Sequence, residues 1–213
     1  MASPMRRLVL AVFAVLCLLL PNDSSCTVPK RSVGLSGNAD IQLTDKVDDA
    51  LASSVANEVH AAMRAGAKHL TVHIDTIGGD LDAGLDIIAT IHDSGIPSTC
   101  IVYDKAFSMG AIILQSSACG ERVVHAHSVV MVHGVLSGGN GPQRTIENNL
   151  ARARAANLQA AQLICARTGW TIEWYWQTFV VEAREMWVVG PEAVAWHLAD
   201  RVRPVPSPVP LLP

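Results

Sequence analysis

Ser108 is the residue from which a chemical reading of this chain starts. It lies in the octet Asp104-Lys105-Ala106-Phe107-Ser108-Met109-Gly110-Ala111. An apolar, β-rich run over 98–103 leads into that octet, and an apolar, helix-like run over 111–118 leads out. Ser108 therefore falls at a strand-to-helix junction. A serine there has an ordinary use, as the N-cap of the helix. It also has a chemical one. The unpaired N–H groups of a first helical turn and the helix dipole favour negative charge. An acyl-transfer nucleophile needs that, because the carbonyl it attacks becomes an oxyanion.

A serine nucleophile needs a base, and the base needs an acid to orient it. The chain has eight histidines. His133 stands out among them because it ends the apolar run 128–133, just before Gly134. The stretch 170–187 holds the acids Glu173, Glu182 and Glu185. Lys105 is the lysine nearest Ser108 and would be the base of a Ser/Lys pair.

The elements that must position these groups follow from periodicity. Thr44-Asp45 can cap a helix running to about residue 65, with Val47, Leu51, Val55, Val59 and Met63 on one face. Residues 70–75 alternate as a strand, and Thr76-Ile77-Gly78-Gly79-Asp80 breaks it. A helix over 81–94 carries Leu81, Leu85, Ile88 and Ile91 inward. Strand–turn–helix then repeats, which is the pattern of a parallel sheet with right-handed crossovers. Gly79 and Ser108 lie at the carboxyl ends of successive strands, where ligand sites of such sheets gather. Short strands are expected over 122–126 and 128–133, and a long helix with four arginines over 143–167. The stretch 170–187 holds four of the five tryptophans.

Half the residues are hydrophobic, enough for one core, and the net charge is -3. No basic run or aromatic–basic interleaving points to nucleic acid. There is no GxGxxG and no P-loop lysine, so a nucleotide site is disfavoured. Cys100, Cys119 and Cys165 fall in apolar runs and read first as small buried hydrophobes, although an exported chain could pair two of them. No CxxC suggests a metal.

The N-terminus reads as a separate segment. Arg6-Arg7 precede an unbroken apolar run from Leu8 to Leu20, then a small polar tail to Cys26. Residues 1–26 are thus expected to be an export signal or an N-terminal anchor, with lipidation of Cys26 as a lesser reading. Residues 27–40 read as a mobile lead-in, and 203–213 as an extended, proline-rich tail.

Taken together, Gly78-Gly79, Phe107-Ser108-Met109-Gly110-Ala111, Val130-Met131-Val132-His133 and Gly190-Pro191-Glu192-Ala193 resemble the proteolytic subunit of the Clp protease, over about residues 41–202. The resemblance implies a crotonase-like α/β fold of repeated ββα units with a protruding handle helix. It implies a serine endopeptidase with Ser108 as nucleophile and His133 as base. The amides of Gly79 and Met109 would form the oxyanion hole. The acid's place falls on Glu185, where the family has Asp, with Glu182 as the alternative. No cofactor or metal is implied. The expected partners are a peptide or unfolded protein substrate and further copies of the chain, as in the family's rings. An export signal argues against the family's ATP-driven unfoldase. Three rivals stand beside this reading: a signal-peptide-peptidase-like Ser/Lys enzyme using Lys105, a non-catalytic assembly subunit, and an acyl-CoA enzyme of the same superfamily.

Overall fold

The computed structural model describes residues 37–136 and 140–204. The expected signal segment with Cys26, most of the lead-in, Gly138-Gly139 and the tail beyond 204 lie outside these residues. Among the described residues, no helix is long and apolar enough to cross a membrane.

Four strands and three helices alternate through the first half: β1 (Asn38–Val47), α1 (Asp49–Arg64), β2 (His69–Gly79), α2 (Leu81–Asp93), β3 (Ser98–Phe107), α3 (Met109–Gln115) and β4 (Glu121–His125). β1 through β4 are parallel neighbours in that order, and β7 (Arg201–Arg203) adds beyond β4. Leu70, Val72 and Ile74 of β2 are fully buried, as their alternation predicts, and pair in register with Cys100 and Val102 through Val72 and Ile74.

Three expectations need correction. Residues 38–47 are strand, not lead-in and helix start: Ala39, Ile41, Leu43 and Val47 point into the core. The helix begins later, capped by Asp48, whose side chain accepts from the Leu51 amide at 3.1 Å. The strand β2 does not break at Thr76 but continues to Gly79 against β1. Residues 201–203 form a strand, so Arg203 belongs to the sheet rather than to the tail.

β3 changes partners along its length, and this creates the rim that matters. Residues 99–102 pair with β4, whereas 105–107 pair with β5 (Val129–Val132). β5 in turn pairs antiparallel with β6 (Met186–Val189). Between them run α4 (Gln143–Thr168), α5 (Ile172–Tyr175) and a π-helical turn (Trp176–Val181); α6 (Gly190–Ala195) follows β6.

Two cross-links fasten the β3–α3–β4 unit, one within it and one from β4 to the turn before β7. Cys100 and Cys119, both fully buried, form a disulfide that closes the chain segment bearing Ser108. Closing a loop of this length stabilises a fold by about 3 kcal/mol through the unfolded chain. Arg122, only 4 % exposed, donates to Asp200 from Nη2 at 2.6 Å and from its backbone amide at 2.7 Å, and to the His197 carbonyl. Partial burial pushes the Asp200 carboxyl up, but the Arg122 bonds and charge outweigh it and hold it below its ordinary value.

A depressed carboxyl contributes stability above its unfolded pKa of about 3.9 and loses it as pH falls through the folded value. Asp200→Asn is expected to leave Arg122 buried without a counter-charge. Discounted for the exposure of Asp200, the cost is about 2 kcal/mol, or roughly 4–8 °C in Tm at pH 7. The gap to wild type should begin to narrow as pH falls below about 4 and close only once pH has passed through the depressed folded value. A thermal melt series across pH checks both.

Candidate active site

The site is built from the carboxyl ends of three strands. β3 ends at Phe107 and β5 at Val132, so Ser108 and His133 each stand one residue beyond adjacent parallel strands. The Ser108 amide donates to the Met131 carbonyl at 2.9 Å, which docks the serine on β5. Its own carbonyl accepts from Ala111 and Ile112, starting α3. The side chain caps nothing. It is free for chemistry, and Ser108 Oγ lies 2.8 Å from His133 Nε2.

Ser108 has φ +52° and ψ −114°, a conformation that costs a residue with a Cβ about 1–3 kcal/mol. This is the sharp strand-to-helix turn that lifts a hydroxyl above the sheet. It leaves the amides of Met109 and Gly110 at the head of α3 without an intrahelical acceptor.

β2 supplies the opposite wall. Thr76, fully buried, donates to the Asp45 carbonyl and accepts from the Gly78 amide at 3.0 Å. Gly78 has φ +86°, and a Cβ there would lie 2.8 Å from Ser108 Cβ and 2.9 Å from the Met109 nitrogen. So the β2 turn touches the nucleophile's backbone, and only glycine permits that approach. The Asp80 amide donates to the Val47 carbonyl. The Gly78-Gly79 turn of β2 and the Ser108-Met109 turn beyond β3 therefore meet at this rim.

The acid is the group the structure does not join to the others. Val132 pairs with Met186 across β5 and β6, so one step further in register Glu185 falls opposite His133. Its carboxylate is turned away: Oε2 accepts from the Trp187 indole at 3.0 Å. Glu182 is committed elsewhere, accepting from Gln177 at 3.1 Å and pairing with Arg184 at 2.6 Å. Among the described residues no carboxylate hydrogen-bonds His133.

Lys105 is not a base for Ser108. Its ammonium pairs with Asp104 at 2.8 Å and Asp75 at 2.9 Å. The hydrogen bond to Asp104, and then that to Asp75, raise its pKa well above the ordinary lysine range. A lysine base needs the opposite shift.

Two groups escaped the sequence reading. Tyr175, fully buried, donates to the His133 carbonyl at 3.3 Å. Asn157, 4 % exposed, bonds both polar backbone atoms of Val135. Asn157 carried a signal, since it lies on the stripe Asn157, Ala160, Ala161, Ile164 and Thr168 at helical spacing; its partner did not. Among the described residues no cluster of His, Cys, Asp and Glu is arranged to hold a metal.

Comparison with known proteins points to one family. The family model described as Clp protease matches residues 29–205. The ATP-dependent Clp protease proteolytic subunit 3 of Rhodococcus jostii is 30% identical over 165 residues, covering 76% of this chain and 79% of its own length. The ATP-dependent Clp protease proteolytic subunit of Streptococcus gordonii is 29% identical over 168 residues, covering 76% and 83%. With a model matched along most of its length and the expected junctions in place, the chain belongs to the Clp protease family.

Proposed function

We propose that this chain is a serine endopeptidase that cleaves peptide bonds through an acyl-enzyme. The observation that carries the reading is the 2.8 Å contact between Ser108 Oγ and His133 Nε2 at a strained strand-to-helix turn. His133 takes the Ser108 proton as Oγ attacks the scissile carbonyl. The carbonyl oxygen gains charge and is met by the N–H groups of Gly79 and Met109, preorganised donors that cost no reorganisation. Collapse of the tetrahedral species expels the amine, to which His133 returns the proton. Water, activated by His133, then releases the acyl group. No metal or organic cofactor enters.

Glu185 is the orienting acid in this reading. The β5–β6 register supports it, because antiparallel neighbours stand about 5 Å apart at Cα. Rotation of the carboxylate from the Trp187 indole to His133 completes the triad.

The substrate is an extended peptide or unfolded protein, and the working form is an oligomer of this chain. Ile146, Leu150 and Leu158 are 43–51% exposed along α4, an apolar stripe suited to a second copy. The relatives are named ATP-dependent. For this chain we place the site outside the cytoplasm, without an ATP-driven partner. Arg6-Arg7 with the apolar run to Leu20, and the buried Cys100–Cys119 disulfide, support export.

A fluorophosphonate probe should label the full chain at Ser108 and leave Ser108→Ala unlabelled. His133→Ala should slow labelling ~100-fold or more. Lys105→Ala should label at the wild-type rate, and a large loss there would favour the Ser/Lys rival. Glu185→Gln should slow labelling ~10-fold while Glu182→Gln does not; equal rates for Glu185→Gln and wild type would reduce the triad to a dyad. For location, non-reducing peptide maps of protein from its native host should show Cys100 joined to Cys119 and Cys165 alkylatable. Free thiols at 100 and 119 would contradict export.

A further inference from the structure

Among the described residues His133 has no carboxylate partner, but the backbone from His133 onward is held by several contacts. Residues 133–135 are held at three successive points by the helical unit that comes later in the chain. Tyr175 Oη donates to the His133 carbonyl at 3.3 Å. Gly134 has no room to move: a Cβ there would lie 2.4 Å from the Phe179 carbonyl oxygen and 3.2 Å from Asn157 Oδ1. Asn157 Oδ1 accepts from the Val135 amide at 2.7 Å, and Asn157 Nδ2 donates to the Val135 carbonyl at 3.2 Å. The same Nδ2 donates to the Ala153 carbonyl at 3.0 Å, which anchors the side chain to its own helix.

The two-point bond from Asn157 mimics a strand neighbour. β5 ends at Val132, and beyond it Val135 has a side-chain amide where a strand would offer a peptide group. Burying an asparagine costs free energy unless its donors and acceptor are satisfied, and here all three bonds serve this one segment or its anchor. An apolar residue at 157 would fill the stripe with Ala160, Ala161 and Ile164 but leave the Val135 amide and carbonyl without these partners. The polar choice is thus explained by its partner, Val135, and through it by His133.

We infer that Asn157 and Tyr175 are positioning residues for the general base: they hold the His133–Val135 backbone so that Nε2 stays in line with Ser108 Oγ while the Glu185 carboxylate is engaged with Trp187. The inference rests on the roles proposed above for Ser108 and His133. It also makes α4 part of the active site's support, since movement of that helix at Asn157 is transmitted through two hydrogen bonds to the segment carrying the base.

The test is the kinetics of fluorophosphonate labelling in the full chain. Asn157→Leu removes all three bonds at nearly constant volume; Tyr175→Phe removes only the hydroxyl. The maximal labelling rate should fall ~10-fold or more in Asn157→Leu and several-fold in Tyr175→Phe, since small misplacements of a catalytic group cost this much. The probe concentration giving half the maximal rate should not change. Ile164→Ala serves as the control: it lies in the same helix and core, loses Tm, and should label at the wild-type maximal rate. If Asn157→Leu and Tyr175→Phe label like wild type, or no slower than Ile164→Ala at matched Tm loss, the two side chains are structural only and the inference fails. If Asn157→Leu does not fold, Tyr175→Phe decides alone. Absence of labelling in the folded wild type would overturn the peptidase reading itself and this inference with it.

Discussion

The positive φ of Ser108 is the constraint on which the rest of the structure depends. A residue with a Cβ holds that conformation only where its surroundings over-determine it. Here they do so from three directions. β5 accepts the Ser108 amide through Met131, α3 begins on the Ser108 carbonyl, and the Gly78 turn of β2 fills the remaining side. The Cys100–Cys119 disulfide closes the same segment from beneath. Strain at one residue thus accounts for features spread over three strands. Of the glycine pair at the end of β2, Gly78 is required because the Ser108 backbone comes so near, and Gly79 because the Val47 carbonyl does. The split partnership of β3 exists because β4 supports the strand's first half and β5 must receive its last residues.

In the proposed mechanism, with Ser108 attacking, His133 carrying the proton and Glu185 orienting the histidine, the same arrangement divides the labour. Parts that must not move are backbone: the amides of Gly79 and Met109, and the Ser108 peptide itself. Donors of this kind are worth most when fixed before the reaction, because no dipole then has to turn as charge develops. The part that must carry a proton, His133, stands at a strand end where its ring can face Ser108. Its backbone is braced by Tyr175 and Asn157 from the helical unit. The acid is the loosest element. Glu185 is longer by a methylene than Asp, and its exposed carboxylate finds the Trp187 indole instead.

What could be read in advance follows from how local each feature is. Ser108 and His133 were legible because a strand, a small-residue turn and a helix or loop succeed one another within a few residues. The pairing of His133 with Ser108 rather than Lys105 became firm only in three dimensions, where Asp75 and Asp104 hold the lysine. β1 carries the same alternation as β2, with Ala39, Ile41 and Leu43 between Asn, Asp, Gln and Thr, but Val47 also fits the helical repeat that follows and draws the apparent helix start back into the strand. β7 is three residues long between a turn and a run of prolines, too short for any period. The Cys100–Cys119 bond depends on where β3 begins and where the chain turns into β4, a tertiary relation with no sequence mark. The direction of the Glu185 side chain is a rotamer choice, set by an indole two residues away.

The central claim is that Ser108 attacks while the Gly79 and Met109 amides hold the oxyanion. It is tested most directly by a crystal structure of the protein inhibited with a phosphonate on Ser108. The account predicts a covalent bond from Ser108 Oγ to phosphorus, with one phosphoryl oxygen about 2.7–3.1 Å from both the Gly79 and the Met109 nitrogens. A phosphoryl oxygen pointing to solvent, or bound by side chains instead of these two amides, would contradict it.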